Sequence, residues 1–514
     1  MNVAVSTKHP KKFLKAKLVK TEPSNPSRTV VPVSGMRLNR SARLRPGQYV
    51  IPTEERDHAV LIEGEHLSIE MTGVELSGGK NKPWDRPGIG ILIRNSQDVE
   101  VTGGTILGYR VGMMIENSRA VRVSDCNVSN NFDQKMKSTP TKYDPSDWLD
   151  IFQPRVWRKY GFGLRAYRCR DCSLMRIKSS HHENGIGLDN CRRVIVQDCD
   201  VSHNSGWGIW LWVSSDCTVT GNKADYCVRC ESENYSAGGD SAGIILSHRC
   251  CRNLIAHNNF THSGDGFFLN GLNVDESADN LIALNDGSHS PHNAFESTFS
   301  RGNVFVGNIA SNSRYGMWLG FSYENRIIGN IIENNLFDGI AIENAHDNFI
   351  IGNGIRRNRC GIALLGRNRR EKRSRNYQIS GNIIESNKAG ISLEAADRIA
   401  IQGNHLSSNR AAIQCGGRCS ELIMRDNNLT GKGKVQLGDT RSADLNDNYW
   451  GRTSTAEVRR RISVETAGCL TLTRKRDQKL PMPRRPVLVD YASTARRQDH
   501  SFVWYKGLKR LVGL

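Results

Sequence analysis

Gly307-Asn308-Ile309 followed by Tyr315-Gly316-Met317-Trp318-Leu319 is one unit of a repeat that runs from residue 303 to residue 413. The unit returns with its asparagine at Asn308, Asn330, Asn353, Asn382 and Asn404. The spacings between these asparagines are 22, 23, 29 and 22 residues. A nearly fixed period in this range is the signature of a solenoid.

Each unit contains short apolar alternations separated by Asn, Gly and Ser, which is the pattern of strand, turn and strand. One such coil of about 22 residues cannot bury its inward side chains alone, but coils stacked about 4.8 Å apart build a continuous parallel-sheet core. The repeat predicts an all-β fold, a right-handed single-stranded parallel β-helix. We expect the recurrent asparagines to form a ladder of side-chain amides that satisfies the turns.

The period divides the chain into three parts. Residues 1–30 form a basic flexible arm, residues 31–451 the β-helix, and residues 452–514 a basic tail that can cap the last coil. Long steps in the period place loop insertions at roughly 131–158 and 226–240, both at the same corner of the coil. Long loops on a repeat scaffold are where function is usually found.

The net charge of +19 favours an anionic partner, such as an acidic polysaccharide, nucleic acid or a membrane surface. No apolar run reaches transmembrane length, and the first residues contain no secretory signal. We therefore expect a cytoplasmic protein, or a secreted or periplasmic one if a leader is missing. Most of the 14 cysteines fall on repeat positions, so we expect reduced, structural thiols. The sequence leaves the oligomeric state open.

A column of large side chains is predicted to face outwards. In the pattern Gly-Ile-x-Leu the residues beside x point into the core, so x points out. Five successive coils carry a large residue there: Trp210, Ile245, Phe268, Glu296 and Trp318. An aromatic stripe with a carboxylate suits a carbohydrate chain, because sugar ring faces stack on aromatic rings. Alternatively, an inserted loop or the C-terminal tail covers these aromatics and makes them a satellite core. The predicted substrate-binding residues are Trp207, Trp210, Phe268, Trp318, Arg229 and Tyr235.

Carboxylates collect at the same place in three consecutive coils, at Asp240, Asp265 and Glu296. Strand geometry sets the backbones of Asp265 and Glu296 about 11 Å apart. Side chains that lean together reach the roughly 6.5–9.5 Å carboxyl spacing of an inverting glycosidase, so we expect inversion if the protein hydrolyses its substrate. Alternatively, Asp265 caps a turn and Asp240 lies in an Asx-turn.

His292 is the remaining catalytic candidate. With Arg229 or Tyr235 it can supply the base and the charge neutraliser of a β-elimination on uronic acids. We expect no cofactor, except calcium if the protein is a lyase. The other histidines at positions 181, 182, 203, 248, 257 and 262 fall at different offsets, so we expect them to share no face and to form no metal site. The Cys-x-x-Cys pairs show only half of a zinc ribbon.

The pattern Gly-Asn-x-Ile…Asn-x-x-Gly-Ile-x-Leu, closing in Asn448-Tyr449-Trp450-Gly451, resembles the right-handed β-helix repeat proteins. These include NosD-type periplasmic proteins and the domain shared by carbohydrate-binding proteins and sugar hydrolases. The resemblance covers about residues 45 to 451 and implies the fold more strongly than an activity, because the shared residues are structural. Mannuronan epimerases on this fold carry Asp-Pro-His, whereas this chain has Ser290-Pro291-His292.

These features together predict a carbohydrate-active β-helix protein that binds an acidic polysaccharide in an outward groove. The carboxylates and His292 favour an enzyme, a glycoside hydrolase or a lyase. The alternative is a non-catalytic scaffold of NosD type that binds a glycan or a protein. Nucleic-acid binding is less expected, because only the charge of the chain supports it.

Overall fold

The computed structural model describes residues 28–55, 57–150, 159–230, 241–271, 275–366, 374–464, 469–472, 475–479 and 481–482. Within these residues the chain is a right-handed parallel β-helix with three sheet faces. The paired strands of all three faces run parallel, each coil against the next. The predicted fold is therefore confirmed.

Sheet 1 carries the outward column of the sequence analysis. Its strands are Met36–Leu38, His58–Ile62, Ile89–Arg94, Val111–Glu116, Phe162–Tyr167, Ile186–Asp189, Trp207–Trp212, Ala242–Ser247, Asp265–Asn270, Asn293–Thr298, Tyr315–Gly320, Asp338–Glu343, Cys360–Leu365, Ala389–Glu394, Ala411–Gly416, Lys434–Gln436 and Ile462–Ser463.

Sheet 2 follows sheet 1 in most coils. Its strands are Thr29–Val30, Ala42–Leu44, Glu65–Glu70, Gln97–Thr102, Arg122–Ser124, Ser173–Met175, Ile195–Gln197, Thr218–Thr220, Leu254–Ala256, Leu281–Ala283, Val304–Val306, Arg326–Ile328, Phe349–Ile351, Ser374–Ser380, Ala396–Gln402, Ser420–Arg425, Ser442–Asp444 and Cys469–Thr471. The short strands Ser277–Ala278 and Ser300–Arg301 pair beside it.

Sheet 3 is formed at the two ends of the β-helix. Its strands are Gly47–Val50, Val74–Ser77, Thr105–Leu107, Ile331–Glu333, Gly354–Arg356, Ile383–Glu385, His405–Ser407 and Asn428–Thr430. In the coils between, this face is reduced to single bridges such as Lys178 with Asp200. The described residues also contain 3₁₀ turns at Pro83–Asp85 and Pro145–Asp147 and an α-helix at Thr455–Arg461.

The asparagine ladder predicted from the repeat is present. Asn308 Nδ2 donates to Asn330 Oδ1 at 3.1 Å, and Asn330 Nδ2 donates to Asn353 Oδ1 at 2.9 Å. The ladder continues through Asn382 to Asn404 in the same way. These amides are buried, and their bonds satisfy turn groups that would otherwise be orphaned.

The last described coils are closed by the α-helix Thr455–Arg461. Ser454 and Glu457 form a capping box at its start, and Val458 is buried against the core. Beyond it, Ile462–Ser463 pairs with Lys434–Gln436, so parallel pairing continues past residue 451. No helix among the described residues is both long and apolar enough to cross a bilayer.

Candidate functional site

The candidate site is built where two successive coils begin their sheet 1 strands. Asp265 is the first residue of Asp265–Asn270, and Glu296 lies within Asn293–Thr298 of the next coil. The register pairs Phe267 with Phe295, which puts Asp265 opposite Asn293. His292 immediately precedes that strand, so all four polar side chains meet at one edge of sheet 1.

Hydrogen bonds connect the four side chains. His292 Nδ1 lies 2.8 Å from Asp265 Oδ1, and the Asn293 backbone N–H donates to the same oxygen at 2.9 Å. The Asn293 side-chain amide contacts His292 Nδ1 and donates to Glu296 Oε2. Asp265 is fully buried, whereas the His292 and Glu296 side chains keep 16% and 12% of their surface exposed. Only His292 and Glu296 of this cluster therefore face solvent and a ligand.

Two groups of this cluster, Glu296 and His292, have pKa values raised above neutral pH. Burial and then the negative charge of Asp265 raise the pKa of Glu296 to about 8, against the opposing effect of His292. Burial lowers the pKa of His292, but the ion pair with Asp265 and the nearby Glu296 outweigh it and raise that pKa to about 9. At pH 7 we therefore expect a protonated Glu296 beside the His292 imidazolium.

The predicted carboxyl spacing is wrong. The ligand-capable atoms of Asp265, His292 and Glu296 all lie within 4.8 Å of one another, closer than the roughly 6.5–9.5 Å of an inverting pair. The reason is that Glu296 folds back along its own strand to the Asn293 amide, which shortens the distance set by the backbone. The buried Asp265 instead orients His292.

A cationic wall continues from His292 towards the C-terminal coils. The residue that precedes each sheet 1 strand is aligned from coil to coil, and the wall consists of His292, Arg314, Arg359, Lys388 and Arg410, with Phe337 between the two arginines. At about 4.8 Å per coil, the five steps from His292 to Arg410 span about 24 Å. Lys388 and Arg410 are exposed.

A groove runs beside this wall. Its floor is the outward column after Glu296, which continues through Trp318, Ala341, Ala363 and Ser392 in register. Over the small residues Ala363 and Ser392 the groove has a volume of about 670 Å³, and it is lined there by Lys388, Arg410 and the Arg359–Asp338 pair. A chain of anionic groups fits this combination of a small-residue floor and a positive wall.

Aromatic rings occupy the groove between the cluster and its open part. Trp318 is half-buried and meets Tyr315 edge to face, with 5.1 Å between ring centroids. Tyr315 stacks on Phe337 at 5.3 Å, and the guanidinium groups of Arg314 and Arg359 lie over the Phe337 ring. Trp318 stays the best-placed ring for stacking on a sugar.

The structure buries three of the predicted substrate-binding aromatics. Trp207, Trp210 and Phe268 are at most 6% exposed and belong to one apolar cluster. Leu149 of the first insertion and Tyr160, which follows it, pack into that cluster. The covered-aromatics alternative therefore describes these three residues, and they offer no face for a sugar.

The other predicted site residues lie elsewhere. Arg229 is fully buried and pairs with the equally buried Glu183 at 3.1 Å, so it does not neutralise charge at His292. Arg229 also donates to the Ser205 carbonyl, which makes it a support for the second insertion. Asp240 and Tyr235 lie outside the described residues.

The expectation that the histidines share no face is wrong for His181, His203 and His262. His181, His203, Tyr226, His262 and His289 stack in one column, with ring centroids 4.7–5.6 Å apart. All five occupy the same corner in the left-handed backbone region, with φ between 54° and 63°. Offsets counted from the glycine of each repeat did not show this column, because the segment between the corner and the strand varies in length from coil to coil.

Sequence reasoning missed the cationic wall and Asn293. The signal is visible in the repeat, because a basic residue stands two positions before the glycine or alanine that opens three successive late coils, as Arg359, Lys388 and Arg410. Asn293 gives no such signal. Its role depends on Asp265 and Glu296 meeting it from two coils.

The sequence of this chain matches one protein-family model. A family model described as "Periplasmic copper-binding protein (NosD)" matches residues 150–287 and 263–460. No curated protein matches the chain.

Solved structures similar to this chain have low sequence identity. The Dettilon tailspike protein (gp208) is 16% identical, with a TM-score of 0.40, over 73% of this chain and 62% of its own. This chain thus spans less than two thirds of the tailspike protein. DFA-IIIase from Arthrobacter chlorophenolicus A6 is 13% identical, with a TM-score of 0.43, over 61% and 84%. The Azotobacter vinelandii mannuronan C-5 epimerase AlgE4 A-module is 12% identical, with a TM-score of 0.34, over 73% and 89%.

The copper named in the family description does not fit the donors of the described residues. Copper favours imidazole, thiolate and thioether ligands, whereas the Asp265–His292–Glu296 cluster offers one imidazole and two carboxylates. That imidazole is already bonded to Asp265 through Nδ1. In the corner column, the histidine rings stack face to face, so their nitrogens do not converge on one point.

Proposed function

This chain belongs to the NosD family, and from the acid–base cluster on its β-helix we propose that it cleaves an acidic polysaccharide by β-elimination. The observation that carries the proposal is that Glu296 and His292, held together by Asp265, lie on the same sheet face as a groove lined by Lys388 and Arg410. Uronic acids fit such a groove because each sugar carries one carboxylate.

The two solvent-facing groups of the cluster suit the two proton transfers of an elimination. Glu296, once ionised, removes the proton from the carbon next to the uronate carboxylate. The electron pair of that C–H bond forms a carbon–carbon double bond as the bond to the neighbouring sugar's oxygen breaks. The His292 imidazolium gives its proton to that oxygen. The products are a 4,5-unsaturated uronate and a new reducing end.

Asp265 and Arg314 assist without exchanging protons. Asp265 accepts from the His292 ring and from the Asn293 backbone, so it fixes the orientation of the imidazole and favours its charged form. Arg314 lies close enough to oppose the charging of His292 and stands next to it in the cationic wall. We assign it the neutralisation of the substrate carboxylate, which makes the adjacent proton more acidic.

Hydrolysis is less well supported by this geometry. A two-carboxylate hydrolase needs both groups at the substrate, but Asp265 is fully buried and already accepts two hydrogen bonds. The next carboxylate in the same strand position, Asp338, is buried and paired with Arg359. Glu296 is therefore the one solvent-facing carboxyl group of the cluster.

The experiment that tests this proposal compares unsaturated and reducing ends. Purified protein is incubated with polygalacturonate, polymannuronate and a neutral glucan, and both product types are counted. We expect equal numbers of unsaturated uronates and new reducing ends from an acidic polymer. Glu296→Gln abolishes both, whereas Glu394→Gln, an exposed carboxylate on another coil of sheet 1, leaves them unchanged. Reducing ends without unsaturation would show hydrolysis, and binding without any product would favour a NosD-type scaffold.

We also propose the periplasm as the compartment, following the family description and replacing the cytoplasm that the first residues predict. Thirteen of the 14 cysteines are free, and all of these but Cys251 are buried. Burial raises the pKa of thiols such as Cys227 and Cys250 to about 12. They therefore resist oxidation in that compartment. Fractionation of cells that express the full chain tests this assignment.

A further inference from the structure

The outward column is covered on one side of Glu296, and on the other side it leads to the groove beside Lys388 and Arg410. Towards the N-terminal coils the outward column continues with Phe268, Ile245 and Trp210, which are 6%, 0% and 1% exposed. Leu149 and Tyr160 pack into the same apolar cluster. On the other side of Glu296, Trp318 is half-buried, and the groove opens farther on, over Ala363 and Ser392.

The positive charge of the wall ends at the same coil. In the wall position, the coils on the covered side carry Gly264, Ser241 and Gly206 instead of a basic residue. On the open side the wall continues for about 24 Å to Arg410. Packing and charge are independent features, and both change between Asp265 and Asn293, where the reactive groups lie.

From this coincidence we propose that the site takes the end of an anionic polysaccharide, not an internal stretch of it. The chain enters along Arg410 and Lys388, and its terminal sugars reach Glu296 and His292, beyond which the buried Phe268 leaves no room for a further sugar. This inference rests on the proposed function for the class of ligand, an acidic polysaccharide. It does not depend on bond cleavage.

End binding determines how the substrate is degraded. Because the reactive pair stands where the outward column becomes covered, each elimination removes a short piece from the chain terminus. The wall cations hold the long remainder of the chain. Short oligosaccharides are thus the first products, and the polymer shortens slowly.

The test counts protein molecules bound per polysaccharide chain. The inactive variant Glu296→Gln is mixed with oligogalacturonates and oligomannuronates of two defined lengths, one just longer than the groove and one several times longer. The mass of the complex is measured by light scattering at saturating protein. We expect one protein per chain at both lengths. A number that rises in proportion to chain length would overturn end binding.

Wall substitutions in the same background test the direction of the chain. Lys388→Ala and Arg410→Ala each weaken binding of the longer oligosaccharide about two- to fivefold, the range for a partly exposed ion pair. Lys178→Ala, an exposed cation on another face, is the matched control and leaves affinity unchanged. Equal affinity in all three variants would refute the proposed path.

The outcomes separate the two proposals. One protein per chain without products from the wild type would remove the elimination and keep end binding. Products from the wild type, together with a number of bound proteins that rises with chain length, would remove end binding and keep the elimination. If neither uronate binds, both proposals fail.

Discussion

Replacing Glu296 with glutamine is the sharpest test of the site, because it removes the proposed base while keeping the shape of the side chain. Asn293 donates to Glu296 Oε2, and a glutamine oxygen can accept the same hydrogen bond. We therefore expect substrate affinity within about twofold of the wild type. Loss of a positioned general base lowers kcat by about 10²–10⁴-fold.

The pKa values of the cluster set the pH dependence of the wild type. The reactive form needs ionised Glu296, with a pKa of about 8, and protonated His292, with a pKa of about 9. The rate should then rise about tenfold per pH unit below pH 8, peak between 8 and 9, and fall above 9. Because the two groups interact, these limbs belong to the pair and not to either residue alone.

The assay is the initial rate of unsaturated-uronate formation in a wide pH series, with wild type, Glu296→Gln and the control Glu394→Gln. In His292→Gln, the residual rate should still rise with pH below pH 8, but it should no longer fall above pH 9. An optimum at or below pH 6, or more than a tenth of wild-type kcat in Glu296→Gln, would refute the assigned roles.

Four further predictions concern stability, binding and metal dependence. Asn330→Ala leaves the ladder partners on both sides without that bond, at about 1–3 kcal/mol for each orphaned group, so urea unfolding should show a lower free energy of unfolding by that amount. Trp210→Ala removes a buried ring from the covered cluster, so it should lower the free energy of unfolding by about 3–5 kcal/mol. Trp318→Ala should weaken uronate binding and have little effect on unfolding. The opposite pattern would place the sugar on the covered side. The pKa of Glu296 is raised from 4.5 to about 8, so the native state retains a proton that the unfolded chain loses, and the contribution of Glu296 to stability falls as pH rises from 4.5 to 8. The pKa of His292 is raised from 6.5 to about 9. Its contribution to stability is therefore fully present below pH 6.5 and is lost as pH rises through 9. The stabilising effect of Glu296→Gln should therefore grow between pH 5 and pH 8 in thermal unfolding. The proposed proton transfers use side chains alone, so a chelator of divalent ions should leave the rate unchanged, and a loss restored by calcium would show that a calcium ion takes part.

The repeat predicted the fold because it reflects a requirement that every coil meets separately. Asn308 and its equivalents recur because each turn needs the same amide bonds, whatever the rest of the chain does. The three-position offset between Asp265 and Glu296 could be derived in the same way, since parallel strands in register fix it. Their carboxyl spacing could not, because it depends on the Asn293 side chain.

Side-chain exposure in the outward column could not be predicted from the repeat either. Trp210 and Trp318 occupy equivalent positions in their strands, and their local sequences predict the same outward orientation. Their surroundings differ because the first insertion, more than 100 residues before Trp318 in sequence, folds back over one and leaves the other at the groove.

The sequence by itself therefore determined the coil, its period, the ladder and the strand on which each polar residue lies, because these follow from hydrogen bonds between neighbouring coils. The tertiary structure decided which residues form the site. Burial of Asp265 and Trp210, the raised pKa values of Glu296 and His292, and the alignment of the cationic wall all depend on contacts between coils and insertions. Such contacts set the local dielectric environment and the access of solvent, and no single stretch of sequence encodes them.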